Sequence, residues 1–115
     1  MFTIRYFSYN DVDFPAKTLI ESLSPRLKSK VMQKLRLLGE FGYQLREPHC
    51  KYLVDGLYEL RIRDHILSIR LFYFYVENQT IIMTHGFIKK TAKTPLKEIK
   101  RAQYYKQILL NQRRS

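Results

Sequence analysis

The sequence predicts an α+β fold: an N-terminal helical hairpin packed on a small, mainly antiparallel sheet, closed by a C-terminal helix. Three observations predict it. Leu27, Val31, Leu35 and Leu38 recur every three or four residues between Ser24-Pro25 and Gly42. From Lys51 the period changes to two, in runs separated by short polar turns. Thr94-Pro95 then restarts a helical pattern. At 115 residues the chain has the length of one domain, 1–115, able to bury a modest core.

Taken in order, residues 2–8 open with aromatic and β-branched side chains in loose alternation, which suits a strand. Asn10, Asp11 and Asp13 offer caps for a short helix over 12–23, with Pro15 in its first turn and Phe14, Leu19 and Leu23 on its apolar side. Ser24 can accept the orphan amide hydrogens of the next helix. Pro25 at its first position loses no hydrogen bond, and Gly42 lies just past its end. Arg26, Lys28, Lys30, Lys34 and Arg36 decorate the face away from the leucines and read as a solvated surface. In the first period-two run, Tyr58, Leu60 and Ile62 point one way and Glu59, Arg61 and Arg63 the other. Asp64-His65 marks a turn. The run from Leu67 to Val76 is apolar on both faces except at Ser68 and Arg70. Glu77-Asn78-Gln79 is the next turn, and Thr80 to Ile88 completes an antiparallel meander. In the last helix Leu96, Ile99, Ala102 and Leu109 form the packing stripe. Thr94 is a candidate cap, although Lys97 stands where a capping-box acid belongs, and residues 112–115 are expected to fray.

Charge narrows the function. The chain carries 21 Lys+Arg against 10 Asp+Glu, a net charge of +11 and a pI near 9.9. A hydrophobic content of 45% with 14% aromatic residues excludes a disordered chain. From Lys89 to Ser115 the acid is Glu98 alone. That field attracts phosphate backbones, acidic membrane surfaces or acidic proteins. No stretch is long and apolar enough to span a bilayer, and the N-terminus reads as a strand rather than a signal peptide. The lone Cys50 excludes an internal disulfide framework, so a cytoplasmic setting without membrane partners is expected. Lys89, Lys90 and Lys93 are pinned between a strand end and a helix start. Such an arrangement suits a polyanion in a fixed pose, with RNA the first candidate.

Several residues have two readings each. Arg70, flanked by Ile69 and Leu71, is costly in an apolar strand unless it is paired or opens onto a cleft. It is either an ion-pair partner of Glu59 or Asp64, or a phosphate clamp using its planar fork. Arg61 on the neighbouring strand either pairs with Glu59 or converges with Arg70. Glu59 is either a general base or the group that orients an arginine. His85, taken to share a face with Met83 and Phe87, is a core residue or a catalyst beside the lysines. His49-Cys50 has the wrong spacing for a metal site, and neither metal nor cofactor is expected. A metal-free nuclease would use attack by an RNA 2′-hydroxyl on the adjacent phosphorus. Crowding Lys89, Lys90 and Lys93 would lower the pKa of one of them enough for proton transfer.

The series Lys51-x-Leu53, Asp55-Gly56-Leu57-Tyr58-Glu59-Leu60-Arg61, Ile69-Arg70-Leu71-Phe72-Tyr73, His85-Gly86-Phe87-x-Lys89-Lys90-Thr91 and Lys93-Thr94-Pro95, closing with Ile99 and Ala102, resembles the phage-derived branch of the RelE/HigB toxin superfamily over about residues 51–105. The resemblance implies a RelE-like fold and the toxin of a type II toxin–antitoxin system. Such a toxin is an endoribonuclease that cleaves mRNA, usually on the ribosome, and inhibits translation. Its usual partner is a small helix-turn-helix antitoxin. The resemblance matches Arg70 to a scissile-phosphate contact, Lys89 or Lys90 to transition-state charge, and Arg61 to the Glu-Leu-Arg motif. It leaves the general base open, because Leu57 and Glu59 stand where related toxins carry lysines. The candidate catalytic set is Arg70, Lys90, Lys89, Arg61 and His85, and the candidate RNA-binding set is Lys51, Lys93, Lys97, Arg101 and Tyr105. Two rivals need less: a non-catalytic basic protein that binds RNA or the ribosome, and an inactive toxin homologue that binds the antitoxin as a regulatory module.

Overall fold

The computed structural model describes residues 1–114, with the backbone alone at Arg114. The elements run β1 (Thr3–Tyr6), α1 (Pro15–Ser22), α2 (Pro25–Phe41), a 3₁₀ turn (Gly42–Gln44), β2 (Cys50–Val54), β3 (Leu57–Arg63), β4 (Ser68–Val76), β5 (Thr80–Lys89) and α3 (Leu96–Arg114). The strands form one sheet in the order β1-β5-β4-β3-β2. The expected α+β class holds, with two refinements. First, β1 runs parallel to β5, so the sheet is mixed while β2 to β5 form the antiparallel meander. Second, the period-two region begins with a separate strand, β2. Asp55 and Gly56 both adopt positive φ and turn the chain back in two residues.

The helical hairpin covers one face of the sheet. Leu27, Val31, Leu35 and Leu38 meet Leu60, Ile62, Ile69, Leu71 and Met83 there. The spacing that predicts α2 is the spacing that buries it. Ser24 accepts the amide of Leu27 at 3.3 Å, and Gly42, at φ 52°, ends the helix where any Cβ would strike the Phe2 ring. α1 begins later than expected, because Asn10 turns its side-chain oxygen onto the amides of Val12 and Asp13 and closes a local turn instead. α3 covers the other face, where Ala102 and Tyr105 pack on Phe7, Phe72, Phe74 and Ile82. It stays helical through Gln112 and Arg113 to Arg114, where fraying was expected; Ser115 lies outside the described residues.

One irregularity repositions a candidate. Leu71 pairs with Gly86 and Tyr73 with Met83, so Thr84 and His85 together oppose Phe72. After this bulge His85 and Phe87 face α3, while Met83 faces the hairpin. The three do not share a face.

Candidate functional site

The site lies on the α3 face of the sheet, at the end away from the Phe74 core. Register sets its floor: Arg61 pairs with Arg70 and Arg70 with Phe87, and one row on Arg63 pairs with Ser68 and Ser68 with Lys89. Residues opposite one another in antiparallel strands hold their Cβ atoms about 5 Å apart, so two arginine side chains leave the sheet as neighbours. Like charges so placed need a counter-charge. Glu59 provides it from one row back, on the same face.

Glu59 is 1% exposed, and both its oxygens are engaged. Oε1 accepts from Arg61 Nε at 3.2 Å and lies 3.7 Å from Arg70 Nε. Oε2 accepts from Thr94 Oγ1 at 2.7 Å. Arg61 also reaches Glu47 at 3.4 Å. Glu59 therefore orients arginines, the second of its two readings. The hydroxyl of Thr94, the candidate cap, goes to this carboxylate and ties the loop before α3 to the sheet.

Arg70 is the less satisfied arginine. Its side chain is 11% exposed, and its buried Nε has no hydrogen-bond partner among the described residues. Burial lowers its pKa, and the nearby Arg61 and Arg63 lower it further against the opposing pull of Glu59. Lys89, at the end of β5, is also held below the ordinary lysine value. Burial is the first cause, and Arg70, Arg61 and Lys51 add to it. The cations that press on Lys89 are thus strand residues rather than its sequence neighbours. Its ammonium donates to the Ala92 carbonyl at 2.9 Å, which turns it toward the loop.

The remaining candidates separate into two groups. Lys51, Lys90, Lys93, Lys97 and Arg101 are exposed. Arg101 donates from Nε to the Tyr105 hydroxyl at 2.9 Å. Tyr105 is buried and stacked on Phe7, with ring centroids 4.7 Å apart, so its ring belongs to the core under α3. His85 is fully buried beneath α3, with Nε2 3.1 Å from Glu98 Oε1. Burial drives its pKa down to about 4 despite the carboxylate, so the neutral ring donates to Glu98. This is the satisfied-core reading of His85.

Two contacts escape a reading by sequence. Thr94 and Glu59 are 35 residues apart, and no local pattern links them. Lys34, read as one of a solvated row, places Nζ 2.7 Å from His49 Nδ1. The signal available for it was weak: Lys34 lies one turn from both Lys30 and Leu38, at the margin between the polar and apolar sides of α2. Among the described residues no group of three or more His, Cys, Asp or Glu side chains is placed to hold a metal ion. No helix there is long and apolar enough to cross a membrane.

No curated protein matches this chain. A family model described as phage-derived protein Gp49-like matches residues 18–106, from within α1 into α3, a span that includes Glu59, Arg61, Arg70, Lys89 and Thr94. The chain belongs to the phage-derived Gp49-like family.

Proposed function

We propose that this protein is the toxin of a type II toxin–antitoxin system, an endoribonuclease that cleaves mRNA at the ribosome and so inhibits translation. The observation that carries the reading is the incomplete pairing of Arg70: a nearly buried guanidinium whose Nε, 3.7 Å from Glu59, has no hydrogen-bond partner among the described residues, beside Arg61, Arg63 and Lys89. A phosphate satisfies such a fork, and it draws charge from all four groups. Membership of the Gp49-like family and the resemblance to RelE/HigB toxins support the same reading.

In this mechanism Arg70 and Arg61 grip the non-bridging oxygens of the scissile phosphate, and Glu59 holds Arg61 in place. The 2′-hydroxyl oxygen attacks phosphorus as its proton passes to solvent. The bond from phosphorus to the 5′-oxygen breaks, and Lys89 delivers a proton to that oxygen. The products are a 2′,3′-cyclic phosphate and a free 5′-hydroxyl. The charge that develops on the phosphoryl oxygens falls among preplaced cations, where its stabilisation is greatest. A lysine with a lowered pKa is the better proton donor near neutrality. Lys90, Lys93, Lys97 and Arg101, all exposed, extend the basic surface along the loop and α3. A helix-turn-helix antitoxin is the expected neutralising partner.

Induction of this chain alone in a bacterial host tests the proposal. The expected outcome is growth arrest with mRNA cut inside coding regions and 2′,3′-cyclic phosphate ends. Arrest with intact mRNA would make the protein a non-catalytic blocker of the ribosome. Normal growth with confirmed folded protein would favour the inactive homologue.

A further inference from the structure

A cleft of about 720 Å³ opens between α2 and the end of the sheet. Arg61 and Arg70 line it together with Lys30, Lys34, His49 and Arg63, and its lining contains no carboxylate. Leu37, Pro48 and Ile62 provide apolar wall. The volume lies within the range of small-ligand pockets, about 300–1,000 Å³, and suits one nucleotide better than an inorganic ion. Low-dielectric walls lined by one sign of charge focus the field inside the cleft.

Lys34 is the informative residue. It is half-buried on α2, and burial lowers its pKa. Its Nζ lies 2.7 Å from His49 Nδ1, a ring nitrogen rather than a carboxylate. An ammonium so placed is held ready for an anion. The His49 carbonyl accepts the Arg61 amide at 2.8 Å, so backbone structure joins this wall of the cleft to the arginine pair.

We propose that the cleft is a second nucleotide subsite, which takes the RNA nucleotide next to the scissile phosphate. Lys30 and Lys34 bind its phosphate, and its base lies against Leu37, Pro48 and Ile62. The proposal rests on the reading of the Arg61–Arg70 site as an RNA site and extends it across the sheet end to α2. RNA is favoured over an acidic peptide because the charged and apolar walls are contiguous. Arg61 and Arg70, shared by both subsites, also let one strand pass between them without leaving positive surface.

The test is fluorescence anisotropy with a labelled 2′-O-methyl RNA hexanucleotide, which cannot form the cyclic product. The full chain is compared with Lys30→Gln, Lys34→Gln and Gln33→Glu. Gln33 is exposed and lines the cleft, so its replacement adds a carboxylate without disturbing the core. Each variant, shown folded by circular dichroism, is expected to weaken binding about tenfold. Each lysine change should also lower the log–log salt slope by about 0.7, one phosphate contact's share on a single strand. Parental affinity and slope in all three variants would overturn the proposal. So would displacement of the RNA by poly-glutamate of equal charge at equal concentration. Because the probe is uncleavable, a failure of cleavage by the parent chain would defeat the catalytic reading and leave this result standing on its own.

Discussion

Arg70 and Glu59 sit 3.7 Å apart, yet their replacement should affect stability unequally. Glu59 keeps Arg61 and Thr94 when Arg70 is truncated, so no buried carboxylate is stranded. Arg70→Ala should therefore change stability by less than about 1 kcal/mol while slowing RNA cleavage at least about a hundredfold. Glu59→Gln takes the counter-charge from two arginines and should cost about 2 kcal/mol. Urea unfolding of both variants beside the parent measures this difference, and a large loss in Arg70→Ala with none in Glu59→Gln would reverse the roles. The sequence marks Arg70 because an arginine amid Ile69, Leu71, Phe72 and Phe74 needs a reason, and Glu59 because period two places it on the face of Arg61. Thr94 and the Lys34–His49 contact are legible in neither way. Each joins elements far apart in the chain, and only tertiary packing brings them together.

Between elements, the β5 bulge is the feature that period counting misses. One extra residue reverses the alternation, so His85 turns to α3 and bonds Glu98, tying strand to helix. This contact has a pH signature. The folded pKa, about 4, lies below the ordinary 6.5, so between these values the unfolded chain binds more protons than the folded one. Stability should rise with pH through that window and fall on acidification, by roughly 3 kcal/mol from this group. Denaturant midpoints at pH 7 and pH 4.5 for the parent and His85→Gln isolate the effect; an equal acid loss in both would refute it. Gly86 beside the bulge is equally constrained. A Cβ there would lie 2.5 Å from a Leu19 methyl and 2.8 Å from the Arg70 carbonyl oxygen. Gly86→Ala should cost about 2 kcal/mol through overpacking, seen as a lower thermal midpoint. Helix spacing, the Ser24 cap and the meander are readable from the chain, because local pattern decides them, whereas Asn10 and Thr94, expected as caps, spend their side chains on a local turn and on Glu59. The short β2 goes unseparated only where one run is read through Asp55-Gly56, a pair that is itself a two-residue hairpin signal.

Across the whole molecule, the chain carries a net charge of +11, and the fold gathers part of it on one surface. The sheet brings Arg61, Arg63, Arg70 and Lys89 onto one patch, and the loop and α3 add exposed Lys90, Lys93, Lys97 and Arg101. If the four patch residues each neutralise a phosphate, log affinity for single-stranded RNA should fall against log salt with a slope of about 3. Anisotropy titrations across a salt series measure it, and a flat dependence would remove this surface as the RNA footprint. The most direct test of the central claim is cleavage of an mRNA, with ribosomes present, by purified parent and Arg70→Ala chains matched for folded content. The parent should yield cyclic-phosphate-terminated fragments and the variant should cleave at least a hundredfold more slowly, about 2.7 kcal/mol of transition-state stabilisation. A folded Arg70→Ala chain that cuts the mRNA at the parental rate would contradict that claim.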